Sequence, residues 1–205
     1  MTVRSLKPAA PPEPPGLQAR AMDNLQFIRD TMEQAAAFTA VSGLGMAGVG
    51  VLALAAAPIG HALRGNPPRW VALWLATAVS ALALSAVTTV RKARRAQASL
   101  LSGPGRKLLL AFAPPMAVGA LLTLVLYRHG LTSLLPGVWL LLYGTAVVTG
   151  GAFSVRIVPA LGLTLIVLGT AALFLPGVAG DWFMGAGFGA AHVGFGALIA
   201  RRHGG

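Results

Sequence analysis

Six apolar blocks, each about 20 residues long, constrain this chain more than any other feature. A helix rises about 1.5 Å per residue, so about 20 apolar residues cover the hydrocarbon core of a bilayer. The blocks fall at about 38–60, 70–90, 108–127, 134–153, 157–176 and 181–200. Within them apolar residues neither alternate, as on a half-buried strand, nor keep to one stripe, as on a soluble helix. A chain of 205 residues has too little other material to bury six helices that are apolar all round. Its charged fraction is 10%, against about 25% for soluble domains. The expected fold is an all-α integral membrane protein with six transmembrane helices, arranged as three hairpins.

Short connections rich in Gly and Pro join the blocks: PIGHALRGNPPR, SGPGRK, RHGLTSLLPG and LPGVAGD. Ahead of them, residues 1–22 read as a Pro-rich disordered tail, with five prolines among residues 8–15. Residues 23–36 read as an amphipathic interfacial helix: Asp23 and Gln26 suit a capping box, and Leu25, Ile28, Met32 and Ala35 share a face. A docking helix for a partner is the rival reading of this segment. The transmembrane domain then occupies 37–202. The first apolar block starts too far along, and behind acids, to be a cleavable signal, so the first span is expected to act as its own targeting segment.

Basic residues fix the expected orientation. The net charge is +11, which in a soluble protein would suggest nucleic acid but in a membrane protein marks the cytoplasmic loops. With both termini in the cytoplasm, thirteen Lys and Arg lie inside and three, Arg64, Arg69 and Arg128, lie outside. Trp70, Trp139 and Trp182 fall at the predicted outer ends of the even-numbered spans, with Trp74 one turn deeper and Tyr127 on the same side, as an aromatic belt would place them. Arg91, Lys92, Arg94, Arg95, Arg106 and Lys107 form the chief basic segment, RKARRAQASLLSGPGRK. It has no base-reading aromatic companions and lacks the G-x-x-x-x-G-K-[ST] spacing of a phosphate loop. Nucleic acid is therefore not an expected partner; anionic lipid headgroups or a cytoplasmic protein are.

Groups able to carry chemistry are few. Without cysteine there is no disulfide, thiolate metal site or thiol nucleophile. His192 is the one titratable residue near the middle of a span, while His61, His129 and His203 lie at other depths, so no metal site is expected. Asp181, the only acid beyond residue 33, precedes Trp182 where a helix N-cap is expected. No paired carboxylates or serine triad are present, so neither an enzyme nor a cofactor is expected. Pro114 and Pro115 predict a kink in the third span that frees carbonyls. Tyr143, Thr145 and Thr149 on the fourth are placed to meet them, and with His192 they make up the intramembrane polar group.

Small residues four apart recur: Gly185/Gly189, Gly187/Ala191 and Ala190/Gly194 in span six, Gly43/Ala47 in span one, and Ala146/Gly150 in span four. Such pairs let helices approach closely in lipid, either within one chain or across a homodimer through span six. LLPGVW at 134–139 and FLPGVAGDW at 174–182 form a weak internal echo, which any Pro-Gly outer turn followed by Trp also explains.

The fragments MDNLQFIRDTMEQAAAFTAVSG, LLSGPGRKLLLAFAPP, LLYGTAVVTGGAFSVR and ARRHGG resemble a group of small bacterial multi-pass membrane proteins without an assigned activity. The resemblance implies a bacterial inner-membrane location and carries over no site residue. The functional expectation is a non-enzymatic scaffold or sensor whose basic cytoplasmic face meets a partner or anionic lipid. The alternative is a small-solute transporter or channel using the third-span kink and His192.

Overall fold

The computed structural model describes residues 22–28, 42–95, 103–152, 154, 157–175 and 177–203. Two units result, Met1–Ala35 and Ala36–Gly205, each with its own internal contacts. In the first, residues 22–28 are helical. The rest of the expected 23–36 helix, and the tail before it, lie outside the described residues.

The second unit is all-helical and holds six helices long and apolar enough to cross a membrane. They are α1 (Gly43–Leu63), α2 (Pro67–Arg95), α3 (Gly103–Arg128), α4 (Leu135–Gly151), α5 (Ile157–Phe174) and α6, which opens at Gly180 and runs to His203. Local chemistry sets their ends. Ser42 caps α1 by accepting from the Gly45 N–H at 3.1 Å, and Asn66 accepts from the Arg69 N–H at the start of α2. Pro67 and Pro68 sit in the first turn of α2, where a missing N–H costs nothing. Gly130, at φ 71°, closes α3: its N–H donates to Tyr127 O and that of Leu131 to Leu126 O, the Schellman pattern that favours glycine. Short 3₁₀ turns, Thr132–Leu134 and Gly177–Ala179, lead into α4 and α6. The basic segment is longer in helix than expected: α3 starts at Gly103.

Two antiparallel glycine seams hold the bundle. In lipid, apolar side chains gain little by leaving their solvent, so close backbone packing must supply the association. Along α4 and α5, Gly144 faces the Gly162 carbonyl and Gly137 faces that of Gly169; a Cβ on either would come within 2.9 Å of that oxygen. Between α1 and α6, a Cβ on Gly50 would lie 2.6 Å from Gly189 O, and one on Gly196 would lie 2.8 Å from Gly43 O. In both seams a step of seven residues along one helix meets a step of seven back along the other. Seven residues are close to two helical turns, so each glycine returns to the same seam. Of the glycines in α6, Gly185, Gly187 and Gly189 are all packed within the chain, whereas Gly194 meets nothing among the described residues within 4 Å of a built Cβ.

Helices α2 and α3 turn large apolar side chains outward, among them Val79, Leu82, Leu109, Leu110 and Leu121. Exposed apolar surface on that scale fits helices long and apolar enough to cross a membrane. The two ends differ. One gathers the last turns of α2 and α6 and the first turn of α3, with Arg91, Arg94, Arg95, Arg106, Lys107, Arg201 and Arg202 exposed and Lys92 half-buried. The other holds all four tryptophans, the connections at 64–66 and 129–134, and the 3₁₀ turn at Gly177–Ala179. We refer to them as the basic end and the tryptophan end.

Candidate functional site

At the tryptophan end a carboxylate is held wholly inside the protein. Asp181 is 0% exposed and lies within the first turn of α6, with its side chain pointing away from that helix. Its Oδ1 accepts from Trp70 Nε1 at 2.7 Å and Trp74 Nε1 at 3.1 Å. Its Oδ2 accepts from Arg64 Nε at 2.6 Å. A buried charge needs a partner of opposite sign and hydrogen bonds on its remaining lone pairs, and three donors from the α1–α2 region supply both. Tryptophans four residues apart on α2 share a face, which brings both indole N–H groups to one oxygen. Gly60 makes room, since a Cβ there would lie 2.8 Å from both Asp181 Oδ1 and Trp74 Nε1.

The network continues across the bundle. Trp70 stacks on Trp139, with ring centroids 5.6 Å apart and planes 7° from parallel. Trp139 Nε1 donates to Thr123 Oγ1 at 2.8 Å, and that hydroxyl donates to Gly119 O. Asp181 thus joins α6 to α1 and α2 directly, and to α4 and α3 through the stacked indoles.

Two expectations are corrected here. Asp181 is not an N-cap: the cap position is Ala179, without a side-chain hydrogen bond, and the carboxylate serves a tertiary ion pair instead. The tryptophans do gather at one end, but Trp70 and Trp74 are only 5% and 4% exposed. Their N–H groups point to the interior rather than to headgroups, and Trp182 alone is largely exposed, tilted against His61. The signal for this site was present in the sequence: a lone acid in an apolar chain, with Arg64 close before two Trp at helical spacing.

The polar group expected within the spans divides. His192 is 2% exposed, at the end of a π-helical turn, Gly185–Ala191, inserted into α6. Its Nδ1 lies 2.9 Å from Gly187 O, and its Nε2 lies 3.2 Å from the Tyr143 hydroxyl. A carbonyl only accepts, so Nδ1 carries the proton, and in the neutral ring Nε2 accepts from Tyr143 O–H. Phe188 and Phe112 pack edge-on against Tyr143. By contrast, Thr145 donates to Leu141 O, and Thr149 to Thr145 O and Ala146 O. Both threonines are exposed and satisfy their own helix. Each hydroxyl proton on Tyr143, Thr145 and Thr149 is therefore committed elsewhere, and none serves the carbonyls behind Pro114 and Pro115. Helix α3 runs through both prolines.

Tyr143→Phe is expected to lower stability by about 1–3 kcal/mol, the cost of leaving a buried acceptor unsatisfied, because the rings still pack but Nε2 of the buried His192 loses its donor. The midpoint of thermal unfolding in detergent checks this.

Two cavities accompany these groups. One, of about 200 Å³, opens at the tryptophan end against Arg64, Trp70, Thr132, Ser133, Gly177 and Asp181, among others. A second, apolar groove lies along α5 and α6 at Thr164, Ala190, Gly194 and Leu198. His192 lines neither. Among the described residues no cluster of three His, Asp or Glu is placed to hold a metal ion. No family model, curated protein or solved structure matches the chain.

Proposed function

We propose that this chain is a non-enzymatic multi-pass protein of the bacterial inner membrane, with both termini cytoplasmic. It acts as a scaffold or sensor whose basic cytoplasmic face meets anionic lipid or a protein partner. The supporting observation is the gathering of charge at one end of the bundle. Arg91, Lys92, Arg94, Arg95, Arg106 and Lys107 share that end with Arg201 and Arg202. The bundle's one acid, Asp181, lies at the other end. At the tryptophan end Arg64 is neutralised by Asp181, leaving Arg69 and Arg128 exposed. Such an imbalance supports the basic end inside.

Each juxtamembrane Lys or Arg near an anionic surface is worth about 1 kcal/mol. Changing Arg91, Lys92, Arg94 and Arg95 together to Gln is therefore expected to abolish a preference for phosphatidylglycerol over phosphatidylcholine, read by native mass spectrometry. In cells it should also change the proteins cross-linked at this face. An unchanged lipid preference with an unchanged cross-linking pattern would sink the proposal. Reporter fusions at each terminus test the orientation separately, and an external reporter at either end overturns it.

The transport alternative gains no support from the site geometry. His192 has both ring nitrogens engaged by protein atoms and is enclosed by Tyr143, Phe188 and Gly187, as a packing group would be.

A further inference from the structure

We propose that the cavity at the tryptophan end is a binding site for a phosphate-type oxyanion, with Arg64 as its anchor. The site lies at the opposite end from the basic face and does not depend on the function proposed for that face.

Three connections of the fold converge on this cavity. Arg64 and Pro67 come from the α1–α2 turn, Thr132 and Ser133 from the 3₁₀ turn before α4, and Gly177 from the turn before α6. They approach closely, since a Cβ on Gly177 would lie 3.2 Å from Ser133 Cβ. Asp181 holds Arg64 through Nε alone, and the guanidinium finds no other acceptor among the described residues. The paired Nη groups are left as donors along the far edge of the fork, and the side chain keeps 24% of its exposure. No buried side-chain polar atom among the described residues lacks a partner, so these Nη groups keep access to solvent and are not sealed in packing, and Arg64 is one of the residues that line the cavity. Thr132 and Ser133 bring two hydroxyls that have no other partner among the described residues.

The donor arrangement selects the ligand class. An end-on guanidinium presents two parallel N–H bonds that match two oxygens of a carboxylate or a phosphate. The hydroxyls come from a different turn, outside that pair. A planar carboxylate has both its oxygens engaged by the Arg fork, whereas a tetrahedral phosphate has further oxygens to offer the hydroxyls. Asp181 does not repel the anion strongly, because its oxygens already accept from three donors and its charge is matched by Arg64. The local charge is near zero, which favours a singly charged phosphodiester over a dianion. Pro67, Pro136 and the Trp70 ring supply apolar wall, suiting the glycerol region of a phospholipid, and the cavity sits where the apolar helices end. A lipid headgroup and a free phosphate share the chemistry of this site; the experiment separates them.

Full-length protein in non-ionic detergent is titrated with dihexanoyl-phosphatidylglycerol, with sodium phosphate, and with sodium chloride at matched ionic strength, following thermal unfolding. Either phosphate probe is expected to raise the midpoint beyond the chloride control. A rise with the lipid alone identifies a headgroup site, and a rise with both identifies a free-phosphate site. In the Thr132→Val/Ser133→Ala variant, half-saturation is expected to need at least tenfold more probe, about 1.4 kcal/mol. Ser133→Trp, which fills the cavity, is expected to remove the response. If the tryptophan variant does not fold, the double variant decides. The quadruple Gln variant of Arg91, Lys92, Arg94 and Arg95 keeps the response, which separates this site from the basic face. The proposal is overturned if neither probe acts on the wild type, if the cavity variants respond as the wild type does, or if the response is lost with the basic-end variant.

Discussion

Replacing Asp181 with Ala is expected to lower the stability of the bundle by about 3–5 kcal/mol, the cost of breaking a buried ion pair by removing one partner. Three donors lose their acceptor together: the Trp70 and Trp74 indoles and the Arg64 guanidinium. Both indoles are nearly sealed from water, so their N–H groups have little means of finding another partner. Asp181→Asn is expected to be nearly as harmful. It keeps the volume, but it leaves Arg64 without a countercharge and offers one acceptor oxygen where two were used. Pairing it with Arg64→Gln should recover part of the loss, since both charges then go together. Unfolding midpoints in detergent for the two single variants and the double variant give the coupling directly. A loss below about 1 kcal/mol for Asp181→Ala would show that the carboxylate is a bystander.

The second large effect is expected at the α1–α6 seam. Gly50→Ala sets two forces against each other. Alanine is a better helix former than glycine by about 1 kcal/mol, which favours the variant. Its Cβ would lie 2.6 Å from Gly189 O and 2.7 Å from Val193 N, both backbone atoms that cannot swing aside. Overpacking of this kind costs about 1–3 kcal/mol, so sterics win and the variant is destabilised. Gly50→Leu enlarges the clash and is expected to part α1 from α6, with loss of folded protein on size-exclusion chromatography. Gly194→Ala, on the partner helix α6, is the control. Among the described residues nothing lies within 4 Å of its built Cβ, so it is expected to match or exceed wild-type stability. Equal losses at Gly50 and Gly194 would mean that the glycines act through helix propensity and not through the seam.

The glycines also show how a local pattern leaves its partner open. Pairs four apart in span six suggested close packing, and a homodimer face was one outcome. Gly196 does meet the backbone of the four-apart pair Gly43/Ala47, and the α1–α6 contacts within the chain also follow a spacing of seven, Gly43 with Gly50 and Gly189 with Gly196. That spacing can be read in the sequence, but it means little until it is known which two helices lie side by side. Of the small pairs in span six, Ala190/Gly194 is the one that remains exposed.

By itself, the sequence determined the six apolar helices, their approximate limits, and the separation of basic residues from tryptophans along the chain. These are local properties: a segment's length and polarity decide whether it can satisfy its backbone as a helix in an apolar medium. Only the tertiary structure decided what the polar residues among those helices do. Asp181 reads locally as a cap, yet it lies inside the first turn of α6 because Arg64, Trp70 and Trp74, more than a hundred residues earlier, offer a charged and hydrogen-bonded site. Trp70 and Trp74 read locally as headgroup anchors, yet they face inward to meet it. Tyr143, Thr145 and Thr149 look alike on one helix, yet only Tyr143 reaches His192. A buried polar group takes whichever partner the packing of distant segments brings within hydrogen-bond distance, and no spacing along one helix encodes that choice.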